Sequence, residues 1–252
     1  MDELLITIKE IRKAYHTRGE SVLALNGITL DIFKGESVAI MGQSGSGKST
    51  LLSIVGGMSP PTSGQVIIDG IDIYGLSQEQ RADFRLKNLG FVFQQFQLIP
   101  YLTALENVML PLTTLHCSRR QKKEMAEHVL NRVGIFEEMN RLPSQISGGE
   151  QERVAIARAL VNGPPLILAD EPTGSLDTRT GTEIMELFQT LNNEGQTILI
   201  VTHNPANTDY MGRTVIMKDG ILTTSEVEMQ KYMPLYKKYK GGMYDNIANS
   251  HK

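Results

Sequence analysis

The residues Gly42-Gln43-Ser44-Gly45-Ser46-Gly47-Lys48-Ser49 follow the spacing G-x-x-x-x-G-K-[ST], between an apolar run from Glu36 to Met41 and a helix-like stretch from Lys48 to Val55. Polyphosphates need many converging N–H donors. Gly45 and Gly47 let the backbone curl around an anion, and a helix beginning at Lys48 turns its positive end toward it. Lys48 is expected to reach β- and γ-phosphates, Ser49 to ligate Mg2+, and Thr50 to extend the binding run.

A second cluster, Pro165-Leu-Ile-Leu-Ala-Asp170-Glu171, ends an apolar run in two carboxylates. Ligands of α/β proteins collect at the carboxyl ends of such strands. Asp170 is expected to hold the metal, through water, and Glu171 to orient and polarise the attacking water, because phosphoryl transfer is mostly positioning and charge stabilisation. Alone, an apolar strand ending in Asp-Glu is ordinary in sheet proteins. The phosphate loop upstream makes it specific. A third candidate is Ser147-Gly148-Gly149, which opens a helix and leaves a hydroxyl and bare amides as a second anion site. Taken by itself it is equally a simple helix cap.

The elements that must position these residues show in the hydrophobic pattern. Leu5 to Tyr15 alternates apolar and polar side chains, and Val22 to Phe33 does so again before a Lys34-Gly35 turn, as half-buried antiparallel strands do. Thr62 to Gly70 reads as another strand, Ser77 to Lys87 as a polar helix, and Leu89 to Phe93 as a buried strand. Ser118 to Val133 and Gly148 to Val161 read as helices. Leu166 to Ala169, Thr197 to Thr202 and Thr214 to Met217 are apolar enough for central strands, with a helix over Thr180 to Asn193 between the first two. After Gly220 the chain changes to a basic, aromatic character over 231–240. That tail is expected to be a mobile extension, with contact to anionic lipid as the alternative.

At 252 residues the chain suits one domain with subdomains, and 40% hydrophobic with 21% charged residues describes a folding sequence. The net charge of −3 gives no basic surface for nucleic acid. The basic run Arg119 to Lys123 reads as the solvated face of a helix. The single cysteine, Cys117, excludes an intramolecular disulfide and agrees with a reducing compartment. No run approaches the roughly 20 apolar residues that cross a bilayer, and the first residues do not read as a signal peptide. Any membrane crossing is therefore expected of another chain.

The stretch Ser144-Gln-Ile-Ser147-Gly148-Gly149-Glu150-Gln-Glu-Arg153 resembles the signature sequence of the ATP-binding cassette (ABC) family. Further family marks follow in order. Gln94 resembles the glutamine that contacts metal or water, with Gln95 as the competing position. Ser175-Leu176-Asp177 resembles the loop that crosses a dimer interface, Thr202-His203 the γ-phosphate sensor, and Tyr15 the ring that stacks on adenine, although Tyr15 reads equally as a core residue. Ile146 stands where the signature often has Leu, and Glu150 where it often has Gln.

The resemblance implies an α/β P-loop NTPase core with an antiparallel β subdomain and a helical subdomain over about 96–160, the whole spanning 1–220, with 221–252 as an extension. It implies ATP and Mg2+ as ligands and a head-to-tail homodimer in which Ser147, Gly148, Gly149 and Glu150 of one copy meet the nucleotide of the other. Gly90 to Val108 and Leu168 to Asp177 look like the lipoprotein-release and macrolide-export branch. That implies a separate membrane permease with few spans and a large extracytoplasmic domain, export or extrusion, and a place on the cytoplasmic face of the membrane. Phe96, Leu98, Ile99 and Tyr101 are then candidate permease contacts, or else packing of the helical part. A non-transport ABC ATPase of the iron–sulfur assembly kind and a cell-division regulator remain open.

Overall fold

The structure, a computed structural model, describes residues 3–17 and 20–223. The basic, aromatic stretch 231–240 and the rest of the expected extension from 224 onward lie outside them.

Alternation builds the first layer. On β1 (Leu4–Thr17) and β2 (Glu20–Phe33), Ile6, Ile8, Ile28, Leu30 and Ile32 are buried while Lys9, Thr29 and Asp31 face out. Ile8 pairs with Leu30 and Ile6 with Ile32 across this antiparallel pair. The strands β4 (Ser63–Ile68) and β5 (Ile71–Asp72) extend it to the order β2-β1-β4-β5.

A six-stranded sheet forms the centre, in the order β10-β9-β3-β8-β7-β6. Its members are β3 (Ser37–Met41), β6 (Leu89–Phe93), β7 (Leu166–Asp170), β8 (Thr197–Thr202), β9 (Arg213–Lys218) and β10 (Ile221–Thr223). All neighbours run parallel except β9 and β10. Covered on both faces, these strands read as continuous apolar runs. Ile40, Leu168, Leu199 and Met217 point to the first sheet, with α1 (Lys48–Val55) packed between the layers. Ile167, Ala169, Ile198 and Ile200 point the other way, into a second core. That core is made with α3 (Ala104–Met109), α4 (Arg119–Arg132), α5 (Gly148–Leu160) and α6 (Thr178–Asn193).

The expected strands and helices are all present within a few residues of their predicted ends. Among the described residues, apart from short 3-10 turns, one helix and two strands escape the sequence reading. The helix α3 has six residues, too few to show a helical period. The strand β5 has two residues. The strand β10 pairs with β9 just past Gly220, where the sequence reading ends the ordered core. The helix α2 (Gln78–Asn88), like α3, α4 and α5, begins with a capping box, here Ser77 with Gln80. On α4 the basic run is held in i,i+4 ion pairs, Arg120 with Glu124 and Lys123 with Glu127, as expected of a solvated helix face.

Buried Asn107 shapes the loop before α3. Its side chain accepts from the Ile99 amide at 2.7 Å and donates to the carbonyls of Ile99, Leu102 and Thr103. Tyr101 is thereby held out at 77% exposure.

Glu152 on α5 is fully buried, and neither carboxyl oxygen has a hydrogen-bond partner. Burial pushes its pKa well above the ordinary carboxylate range, with Arg158 opposing. A raised folded-state pKa means that the fold binds this proton more tightly than the open chain does. Wild-type stability therefore falls as pH rises above the unfolded value near 4.5 and toward the folded one. We predict that Glu152→Gln melts higher than wild type at pH 8 and that the gap closes as pH falls toward 4.5. A lower-melting variant at pH 8 would show that the carboxylate has a stabilising partner.

Candidate active site

The phosphate-loop residues leave the end of β3, a fully buried strand in the middle of the sheet. The Gly42 amide donates to Thr202 O at 3.2 Å, and the Gly220 amide donates to Ser46 O at 3.0 Å, so the loop is tied to β8 and to the β9–β10 turn. Gly45 and Gly47 sit at φ 80° and 105°, where residues with a Cβ are strained. Gln43, Ser44, Gly45 and Ser49 are exposed, Gly47 and Thr50 half-buried, and Gly42, Ser46 and Lys48 buried. The Lys48 ammonium donates to Gly42 O at 2.8 Å and Gln43 O at 3.0 Å, inside its own loop.

The strand β7 brings two acids to this point, and its neighbour β8 brings His203. Ser49 Oγ donates to Asp170 Oδ1 at 3.0 Å. Burial raises the Asp170 pKa, the Ser49 hydrogen bond lowers it, Glu171 raises it and Lys48 lowers it. Glu171 is held at φ 49°, a left-handed conformation that costs on the order of 1–3 kcal/mol for a residue with a side chain. Its amide donates to Val201 O at 3.0 Å. Its carboxylate accepts from the His203 amide at 3.2 Å, meets His203 Nδ1 at 2.9 Å and lies 3.8 Å from the Lys48 ammonium. Glu171 is 12% exposed and His203 59%, so one end of the pair is enclosed and the other faces solvent.

Asn207, which the sequence reading passes over, fixes this spacing. Its buried amide donates to Thr173 Oγ1 at 2.9 Å and Thr202 Oγ1 at 3.1 Å, clamping the segment after Glu171 to the one before His203. No local pattern announces it, because the partners meet only through the sheet.

The remaining candidates lie on the helical side and at the edge. Ser147 caps α5, but its hydroxyl donates to the Glu150 carboxylate at 2.8 Å, and that carboxylate also accepts from the Ser147 amide at 2.7 Å. The Glu150 pKa is lowered by the backbone and then the side-chain hydrogen bond from Ser147. The expected bare hydroxyl is therefore engaged within its own helix turn. Added Cβ atoms would meet Leu176 at Gly148 and Thr180 at Gly149, so both glycines allow close packing near the start of α6. Asp177 caps α6 through Thr180, and its pKa is lowered by that contact. Gln94 and Gln95 are exposed just after β6, and Ser175 Oγ donates to Gln94 O at 3.0 Å. Tyr15 is 45% exposed, which removes the core reading, with the Lys13 ammonium 5.1 Å from its ring centre.

Residues 25–174 match the family model described as ABC transporter. The chain belongs to the ABC transporter family. It is 43% identical to the lipoprotein-releasing system ATP-binding protein LolD of Shewanella oneidensis, over 90% of this chain and 99% of that one. Identity to the macrolide export ATP-binding/permease protein MacB of Syntrophobacter fumaroxidans is 47%, over 86% of this chain but 31% of that longer protein. Among solved structures it superposes with a TM-score of 0.81 on the ATP-binding cassette MJ0796 of Methanocaldococcus jannaschii, a dimer bound to ADP and Pi. The two are 44% identical over 88% of this chain and 98% of that one. The α/β architecture is thus that of an ABC cassette, and the chain is an ATPase of that family and a transporter's ATP-binding subunit. Among the described residues no helix is long and apolar enough to cross a membrane.

Two loop glycines separate packing from conformation. A Cβ on Gly42 would lie 2.3 Å from Met217 O and 2.7 Å from Ser46 Oγ, whereas one on Gly45 meets nothing within 4 Å. Gly42→Ala should cost roughly 1–3 kcal/mol through overpacking. Gly45→Ala should cost about 1 kcal/mol through its positive φ alone. Thermal melting reads the difference, and a Gly45→Ala protein that melts below Gly42→Ala would contradict it.

Proposed function

We propose that two copies of this chain close head to tail on ATP, hydrolyse it, reopen, and thereby drive a separate membrane permease of the export type. The observation that carries the hydrolytic part is the Glu171 carboxylate, enclosed between the Lys48 ammonium and His203 and adjacent to the Ser49–Asp170 pair. Glu171 orients and polarises water, Lys48 gives up its loop carbonyls for the β- and γ-phosphates, and His203 senses the γ-phosphate from the solvent side. The amides and hydroxyls from Gly42 to Thr50 cradle the phosphates, and exposed Tyr15 offers a face to adenine.

The all-oxygen set of Ser49 and Asp170, with Gln94 just past Phe93, which pairs with Asp170 across β6 and β7, suits a hard cation such as Mg2+. When bound, that ion neutralises charge on the bridging phosphates.

Dimer closure is supported by the dimeric state of the related cassette MJ0796. The turn Ser147–Gly149 of one copy then faces the phosphates held by the other, and Asp177 borders the seam. Ser147 has one hydroxyl proton, so it either donates to Glu150 or to a phosphate. Exchange between the two makes Glu150 a weak brake on closure.

Export and the permease type rest on likeness to LolD and MacB. The helical part over 96–160 carries the docking loop, where Asn107 holds Tyr101 outward among Phe96, Leu98 and Ile99. The permease keeps the chain at the cytoplasmic face of the membrane. Tagged chain with ATP and Mg2+, used as bait on detergent-solubilised native membranes, should recover a membrane protein with few spans and a large external domain. Tyr101→Asp should lose that partner and keep its soluble ATPase rate. Loss of both together would remove Tyr101 from docking, and recovery of soluble assembly proteins alone would overturn transport.

A further inference from the structure

The turn after β6 has an unusual backbone. Phe96 and Gln97 lie in succession at φ 57° and 48°, both left-handed, a conformation that residues with side chains rarely adopt. The carbonyls of these same two residues are gathered by one side chain. Arg158 donates from Nη2 to Phe96 O at 2.7 Å and from Nη1 to Gln97 O at 2.6 Å. A planar guanidinium presents two parallel N–H groups with the spacing this needs, which an ammonium cannot reproduce.

The other side of the turn is fastened separately. Ser175 Oγ, four residues beyond Glu171, donates to Gln94 O. A Cβ on Gly174 would lie 3.0 Å from Gln94 Nε2, so the Gln94 carboxamide lies close against the backbone that follows Glu171. Arg158 stands in the last turn of α5, the helix that Ser147 caps. Neither carboxyl oxygen of buried Glu152 on the same helix takes a hydrogen bond from Arg158, so the guanidinium fork is left to the two carbonyls.

We propose that Arg158 is a positioning residue for ATP hydrolysis: by gripping the Phe96 and Gln97 carbonyls it holds the 94–97 turn so that Gln94 is presented to metal and water, and it ties that presentation to α5. This rests on the role proposed for Gln94 above. Without the fork the paired left-handed residues relax, and Gln94 leaves its place beside Gly174 while the phosphate loop, built on β3 and α1, is untouched.

A double-mutant cycle on soluble full-length chain tests this, with Gln94→Ala, Arg158→Lys and the pair compared by steady-state ATPase assays. Arg158→Lys should lower kcat by about tenfold, as expected of a misplaced positioning group, with KM for ATP unchanged. The double variant should be no slower than the slower single one. Hydrogen–deuterium exchange of Arg158→Lys should rise over residues 94–98 and stay at wild-type levels over 42–50. If Gln94→Ala slows turnover while Arg158→Lys keeps the wild-type kcat, or the two losses multiply, the positioning role is wrong and Gln94 keeps its role. If Gln94→Ala turns over at the wild-type rate, the reading of Gln94 fails and this one with it. Unchanged exchange over 94–98 would also overturn it.

Discussion

The Glu171 carboxylate, held between the Lys48 ammonium and His203, is the interaction around which the rest is arranged. It requires three parallel strands side by side. The strand β7 delivers Glu171, β8 delivers His203, and β3 delivers the loop that bends Lys48 back toward them. A left-handed backbone at Glu171 is tolerable because the residue is over-determined: its amide is bonded to Val201, its carboxylate to the His203 amide, and the following segment is clamped by Asn207. Each of those contacts joins the segment after β7 to the end of β8 or the turn that follows it, far apart in sequence, so the geometry around Glu171 depends on β7 and β8 lying side by side.

From that constraint follows the division of the molecule into two cores. The central sheet is buried on both faces, one by α1 and the antiparallel layer and one by the helices α3 to α6. Tyr15 and the phosphate loop sit with the first core. Ser147, Arg158 and the Asn107-braced loop belong to the second. The junction between them is the turn after β6, fastened to Arg158 on one side and Ser175 on the other. Asp177, six residues beyond Glu171, caps α6 on the same side of the sheet as the second core.

Much of this is legible in the sequence because contiguous residues carry it. The phosphate loop is one uninterrupted run between a strand and a helix, and Asp170-Glu171 ends an apolar strand, so composition and spacing suffice. Unbroken apolar runs likewise announce the central strands. What stays hidden depends on closure in space. Asn207 joins the hydroxyl of Thr202 at the end of β8 to that of Thr173 in the turn after β7, Arg158 reaches carbonyls more than sixty residues away, and Asn107 stabilises a loop by four backbone contacts, none with a local pattern. The Ser147 hydroxyl is a different case. Reading Ser-Gly-Gly as an open anion site overlooks Glu150 three residues on, although the same capping-box spacing starts α2, α3 and α4.

The measurement that bears most directly on the account is steady-state ATP hydrolysis by Glu171→Gln at saturating ATP and Mg2+, with bound nucleotide quantified in parallel. The amide keeps the shape of the site and its hydrogen bond from His203 but cannot polarise water as a carboxylate does. Turnover should fall by roughly 10²-fold or more while ATP remains bound. Hydrolysis at the wild-type rate would contradict the account, because the carboxylate that the sheet so closely holds would then have no part in the chemistry.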